Sequence, residues 1–154
     1  MLLTLMLSVL FVAADRDSEP YKLGAPATVE GAMLTVTHLL DVTKAGDDNA
    51  FDKIARGMAI MLAPDFGVPV SRAEFAETLK NCSDLHVISS RPFPKMPQVQ
   101  AVQVAMQCHD DQHLQPSSAI AEIMADNEHT FAVFPGGVSR VWPDKNALRQ
   151  SPQQ

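Results

Sequence analysis

The fold of this chain is decided by residues 38–82, which read HLLDVTKAGDDNAFDKIARGMAIMLAPDFGVPVSRAEFAETLKNC. Gly46 suits the left-handed residue that follows a helix, and the Asp47-Asp48 pair behind it can accept from the free amides of the next helix. Ser71 and Glu74 form a capping-box sequence, which specifies a further helix start. The stretch therefore predicts three helices, with the second helix ending before Pro64.

Apolar residues recur at three- and four-residue spacing in each predicted helix, as they do on the buried side of an amphipathic helix. The first helix begins at Thr28. The apolar positions are Val29, Ala32, Met33, Val36 and Leu40 in the first helix, Phe51, Ile54, Ala55, Met58, Ala59 and Leu62 in the second, and Phe75, Leu79 and Cys82 in the third. We therefore expect one side of each helix to pack on a common core.

After Cys82 the apolar period changes to two, which is typical of strands. The pattern predicts a short strand at residues 85–89, a three-proline connection at 91–97 and a long strand at 98–108. Residues 118–126 are assigned to a strand by their position, although their composition also favours a helix. A hairpin at residues 130–142 turns at Pro135-Gly136-Gly137.

Length and charge bound the class of protein. The chain has 154 residues, which suits one domain, and its net charge is -6 with no cluster of Lys and Arg. This charge argues against nucleic acid as a partner, because a phosphate-binding surface needs a basic patch. The sequence has no Gly-rich phosphate loop, no G-x-S-x-G and no H-E-x-x-H, and it indicates no cofactor.

The amino-terminal residues 1–14, MLLTLMLSVLFVAA, have the length and the small terminal residues of an export signal. A short membrane anchor and a buried helix are the alternatives. Export predicts a periplasmic or secreted protein that has no membrane contact once the signal is cleaved. We divide the chain into this signal, a flexible lead-in at 15–27, one domain at 28–143 and a flexible tail at 144–154.

Short motifs at the predicted helix ends carry a resemblance. They are Leu39-Leu40 followed by Ala45-Gly46-Asp47 and Phe51, then Leu62-Ala63-Pro64-Asp65, then Ser71-Arg72-Ala73-Glu74-Phe75. In this order, followed by strands and a closing hairpin, they resemble the nuclear transport factor 2-like superfamily, which includes polyketide-cyclase-like and ketosteroid-isomerase-like proteins. The resemblance covers residues 29–142.

The resemblance implies an α+β fold in which three N-terminal helices pack on a curved antiparallel sheet, forming a cone-like barrel that is often dimeric. It places a ligand pocket between the helices and the sheet. The candidate pocket-wall residues, each of which is also an ordinary core residue, are Met33, Met58, Phe75, Val102, Val104, Met106 and Trp142. The catalytic tyrosine and acid of the isomerase branch would fall near Leu39 and Val70, and neither residue can do that chemistry.

His86 and Asp65 are the candidate catalytic residues. A histidine on the concave side of the sheet could act as an acid or base, whereas on the other side it is a surface residue. Asp65 could be a buried acid near the pocket mouth, but an Asp directly after Pro is more often part of a turn.

Cys82 and Cys108 are the two cysteines of the chain, and in an exported protein they could form one disulfide. The alternative is a pair of buried free thiols. Residues 108–113, CHDDQH, contain enough donor groups for a divalent ion, but a solvated polar loop is the better interpretation of such a pattern, and we assign no metal site.

Three hypotheses follow. The first is an exported protein that binds a small, largely apolar molecule between its helices and its sheet. The second is an isomerase, dehydratase or cyclase that uses His86 with Asp65 or another acid. The third has a core filled by methionines and works as a dimeric protein-interaction module through the outer face of the sheet.

Overall fold

The computed structural model describes residues 25–63, 66–93, 96–109 and 116–135. Its elements are α1 (Val29–Ala45), α2 (Asp48–Ile54), β1 (Ala55–Ala63), β2 (Phe66–Pro69), α3 (Arg72–Leu79), β3 (Cys82–Phe93), β4 (Met96–Cys108), β5 (Ser117–Ala125) and β6 (Thr130–Phe134). The described part is α+β, with three helices and a curved six-stranded sheet in the order β2-β1-β6-β5-β4-β3. Asp65, Trp142, the predicted export signal, the predicted tail and the predicted second arm of the hairpin lie outside the described residues.

The predicted helix boundaries are confirmed where capping chemistry specifies them. Gly46 ends α1 with a φ of 76°, and the Asp47 side chain accepts from the amide of Ala50 at the start of α2. At α3, the Ser71 hydroxyl accepts from the Glu74 amide, and the Glu74 carboxylate accepts from the Ser71 amide. These local hydrogen bonds involve residues at most three apart, so they can be identified without knowing the rest of the fold.

The predicted second helix is only half correct, because it ends at Ile54 and the chain continues as strand β1. Gly57 has a φ of 57°, which a continuing right-handed helix does not allow. From Met58 onward the sequence is a continuous apolar run, which fits a strand that lies between two others as well as it fits a helix. A strand pair, β1 and β2, therefore separates α2 from α3, and the three helices are not consecutive.

The sheet is mixed and not purely antiparallel, since β1 runs parallel to β6 while the other neighbouring pairs are antiparallel. It is also not closed into a barrel, so this part of the expectation is corrected as well. The assignment of residues 118–126 to a strand is confirmed by β5. Strand β3 extends to Phe93 and β4 begins at Met96, so the three-proline connection is shorter than predicted.

The main apolar core lies between the helices and the sheet, and a smaller cluster of Val99, Ala101 and Met124 lies on the other face of the sheet. Its fully buried large side chains include Leu39 of α1, Phe51 of α2, Met58 and Ile60 of β1 and Phe75 of α3. The rings of Phe51 and Phe75 lie 5.9 Å apart between their centroids. The sheet contributes every second residue of β4 to the same cluster, from Val102 to Cys108. The helices are therefore held on the sheet by packing of large side chains.

Cys82 and Cys108 are joined by a disulfide, and they stand directly opposite each other at the start of β3 and the end of β4. The bond closes a loop in which the two cysteines are 26 positions apart. It fixes one end of β3, which is the last strand on its side of the described sheet. Because β3 has a sheet neighbour on one side only, the covalent link adds to a strand that pairing alone holds weakly.

Replacing both cysteines by alanine should lower the free energy of unfolding by about 3 kcal/mol, because the open chain gains loop-closure entropy in the unfolded state. Urea unfolding of the oxidised wild-type protein and of the double variant measures this difference. Wild-type protein treated with a reductant is the control and should match the double variant. Equal stability of all three samples would show that the bond does not form in solution.

Candidate functional site

The candidate site is a groove between helix α1 and strand β3, here called the α1–β3 groove. It consists of two open depressions of about 640 and 790 Å³ that share Leu40, Asp41 and Leu85. The first, the apolar half, is lined by residues that include Val29, Met33, Leu34, Thr37 and Val87. The second, the polar half, is lined by residues that include Lys44, Arg72, Leu79, Cys82 and Asp84.

Helix α1 forms one wall of the groove because it carries two apolar faces. One face packs into the core through Ala32, Val36 and Leu39, all of which are fully buried. The other face presents Val29 and Leu34, which are 48% and 63% exposed. The predicted single stripe of α1 is therefore divided in the structure. Its members Val29, Met33 and Leu40 line the groove.

The amino-terminal end of α1 is held in place by the turn between β5 and β6. The side-chain oxygen of Asn127 accepts from the backbone amide of Thr28 at 2.9 Å. A Cβ atom at Gly31 would lie 2.2 Å from that oxygen, so only glycine leaves room for this contact. Gln100 of β4 donates to the carbonyl of Ala27 at 3.1 Å from a buried side chain. These contacts fix where the apolar half begins.

Strand β3 forms the opposite wall, is the last strand on its side of the described sheet and pairs irregularly with β4. Its register against β4 shifts between Ser83 and His86 and again between Val87 and Ser89, and Asp84 has a φ of 54°. The strand at the other end of the described sheet, β2, has four residues and ends in Pro69. Bulges, short length and proline are features that hinder pairing with a further strand. Binding at the faces and grooves of the sheet is therefore favoured over addition of a strand.

The charges of the groove are unequally compensated. The Arg72 guanidinium forms an ion pair with the Asp48 carboxylate, which ties α3 to α2. Asp41, Lys44 and Asp84 form no ion pair with another described residue. Asp41 lines both halves, so it lies where the apolar half meets the polar half.

The predicted pocket-wall residues fall into three groups. Met33 lines the apolar half of the groove. Trp142 lies outside the described residues. The other five belong to the packed core and are at most 3% exposed: Met58, Phe75, Val102, Val104 and Met106. Sequence periodicity identified these five as inward-facing, but it cannot tell the wall of a cavity from a filled core.

His86 is an exposed residue at the rim of the apolar half. It stands opposite Ala105, which alternates along β4 with the core residues Val104 and Met106. Its Nδ1 atom lies 2.6 Å from the carbonyl oxygen of Asp84, and no described carboxylate is hydrogen-bonded to it. Asp65 lies outside the described residues, so the proposed acid and base are not brought together by what the structure describes.

The described residues contain no group of three His, Cys, Asp or Glu side chains that could hold a metal ion. Most of the CHDDQH segment, residues 110–113, lies outside them, and Cys108 is bound to Cys82. Among the described helices, none combines the length and the hydropathy that crossing a membrane requires.

Comparison with known proteins gives no match: no family model, no curated protein and no solved structure shows significant similarity to this chain.

Sequence reasoning missed most of the groove residues. Leu34 stands outside the apolar stripe that predicts the buried face of α1. Its position is the one signal in the sequence that could have indicated a second apolar face on this helix. The sequence predicts that Leu85 and Val87 belong to a strand, but it does not show which surface their side chains contact. Asp41 and Asp84 belong to no motif, and the sequence carries no signal that they lie beside the same groove.

The core assignment predicts unequal effects of two methionine truncations. Met106→Ala should cost about 2–5 kcal/mol of unfolding free energy, because it leaves a cavity in the core, whereas Met33→Ala should cost roughly 1 kcal/mol, because that side chain is only partly buried against the core. Urea unfolding of the two variants measures both free energies, and the comparison is direct because each variant replaces Met with Ala. A small cost at Met106 with an unchanged fold would indicate that this side chain lines open space and is not packed.

Proposed function

We propose that this chain is an exported protein of nuclear transport factor 2-like fold that binds a small, largely apolar molecule in the α1–β3 groove. The fold assignment is supported by three helices on a curved sheet and by the motifs at Ala45-Gly46-Asp47 and Ser71–Phe75, which stand at helix ends. The disulfide supports export to the periplasm or beyond, because such bonds persist in oxidising compartments. Nucleic acid is disfavoured as a partner by the net charge of -6.

The groove itself is the observation that carries the binding proposal. Its apolar half offers about 640 Å³, within the range of small-molecule sites, and most of its lining is aliphatic. Leu34 and Val29 remain 63% and 48% exposed there, although both are large apolar residues on the same helix. A ligand that covers them would remove apolar surface from water at roughly 25 cal/mol per Å². The proposed ligand site is therefore on the outer side of α1, whereas the sequence predicts a site beneath the helices.

An enzyme of the same fold, an isomerase, dehydratase or cyclase, is the weaker alternative. Such catalysis needs an acid and a base that converge on one reacting molecule. In the described residues His86 stands at the groove rim with the backbone of Asp84 as its hydrogen-bond partner. We therefore place binding before catalysis.

A second candidate function, the dimeric protein-interaction module, is favoured by one specific observation. Met58, Phe75 and Met106 fill the core, as that hypothesis requires. On the outer sheet face Ile120 is 43% exposed and stands opposite Ala105 of β4. Two residues further along β5, however, the same face carries a polar network in which Arg91 and Gln103 both contact the Glu122 carboxylate. The same face also carries a second apolar cluster formed by Val99, Ala101 and Met124, and these three side chains are buried. The groove is placed first because its apolar side chains Val29 and Leu34 are more exposed than Ile120.

Leu34→Gln should weaken the binding of a neutral apolar dye such as Nile red by roughly fivefold or more, because it replaces exposed apolar lining with an amide. Ile120→Gln is the matched control on the outer sheet face and should leave dye binding unchanged. Both side chains are exposed, so neither variant should unfold the protein. Dye fluorescence titrations measure the two affinities.

The opposite pattern would reject the groove. If Ile120→Gln weakened binding or dissociated a dimer in sedimentation experiments, while Leu34→Gln had no effect, the outer face would be the functional surface. An absence of dye binding to the wild-type protein would also reject the proposal.

A further inference from the structure

We infer that the α1–β3 groove selects a lipophilic amine, with its apolar chain in the apolar half and its ammonium group between Asp41 and Asp84. This inference rests on the proposed function, since it specifies the ligand class of the same groove. Two observations support it. Asp41 and Asp84 lie next to the apolar lining of the groove, and the groove keeps an excess of acidic residues after Arg72 is paired with Asp48.

The first step concerns the balance of charge. The lining of the polar half includes four acidic or basic residues: Asp41, Lys44, Arg72 and Asp84. Arg72 is already compensated by Asp48, which stands outside the lining. The apolar half adds Glu30 and no Lys or Arg. Three carboxylates therefore face one lysine along the groove, and its field favours a cation.

The second step concerns where these carboxylates stand. Asp41 lines both halves, so it marks the boundary between aliphatic and polar lining on the α1 wall. Asp84 belongs to the β3 wall, directly before Leu85, which also lines both halves. A ligand whose chain lies along Met33 and Leu34 would thus present its head group where the two walls each supply a carboxylate. An ammonium group that donates to a carboxylate of either wall forms a charge-assisted hydrogen bond, which is stronger than one between neutral groups.

The third step concerns the shape of the groove. Helix α1 has 17 residues and is about 25 Å long, and the groove follows it from Val29 to Gly46. This length suits an extended alkyl chain better than a compact ring system. An alkyl carboxylate would fit the same length, but its head group would meet two carboxylates and only one uncompensated cation, Lys44.

The test uses three probes of equal chain length: decylamine, decanol and decanoate. Each is titrated at neutral pH against the full chain with Nile red bound, and displacement of the dye gives the affinities. Decylamine should bind roughly threefold to tenfold more tightly than decanol, and decanoate more weakly than either, because exposed charge pairs contribute modestly. The preference for the amine should shrink at high ionic strength.

Two variants that change the charge of the groove in opposite directions provide a further test. Asp41→Asn should weaken decylamine binding by roughly threefold, and Lys44→Gln should strengthen it by a similar factor, since each changes the field at the head group by one charge. Decanol binding should not change in either variant. Asp52→Asn is the matched control, because Asp52 is an exposed carboxylate of α2 that does not line the groove.

The outcomes separate the two proposals. If decanol displaces the dye and decylamine does so no better, or if Asp41→Asn and Asp52→Asn act alike, the amine selectivity is wrong while the groove remains a site for apolar molecules. If none of the probes displaces the dye and the dye itself does not bind, the proposed function fails together with this inference.

Discussion

Tight packing between the helices and the sheet is the constraint on which the rest of this structure depends. Phe51, Met58 and Phe75 occupy the space beneath the helices, where a fold of this kind could otherwise have kept a ligand cavity. The inner face of α1 packs on these side chains. Its outer face is therefore available to form the groove with β3.

The placement of α1 and β3 then determines the character of the site. The contacts of Thr28 and Gln100 fix the start of α1, and the disulfide fixes the start of β3 beside the other end of that helix. The α1 wall is thus restrained at one end of the groove, and the β3 wall is restrained at the other end. A groove restrained in this way can keep an exposed apolar lining without closing over it, and it leaves charged residues such as Asp41 at the boundary of that lining.

Local signals in the sequence were sufficient for much of the fold. The caps at Gly46, Asp47 and Ser71 involve hydrogen bonds between near neighbours, and the alternation in β4 reports one buried face, so both could be predicted. The conversion of the second helix into β1 could not be predicted in the same way. Its apolar run satisfies both periods, and pairing with β6, which lies far along the chain, decides between them.

The candidate site was harder to predict because none of its properties is local. The chemistry of His86 makes it a candidate in the sequence, yet its position at the rim depends on a strand register with three irregularities. Met58 and Met106 were expected to be inward-facing, and they are, but only the packing of several elements shows that the space is filled. Leu34 and Asp84 belong to one groove because α1 crosses beside β3, which no single segment encodes.

The most direct test of this account is methyl-group NMR of the oxidised protein during titration with decanol. The account predicts that the methyl signals of Met33, Leu34, Leu85 and Val87 shift in proportion to one another, while those of Met58, Met106 and Ile120 do not move. Shifts centred on Met58 and Met106 would instead show a ligand beneath the helices. Shifts centred on Ile120 would place it on the outer sheet face, and either result would contradict the groove as the functional site.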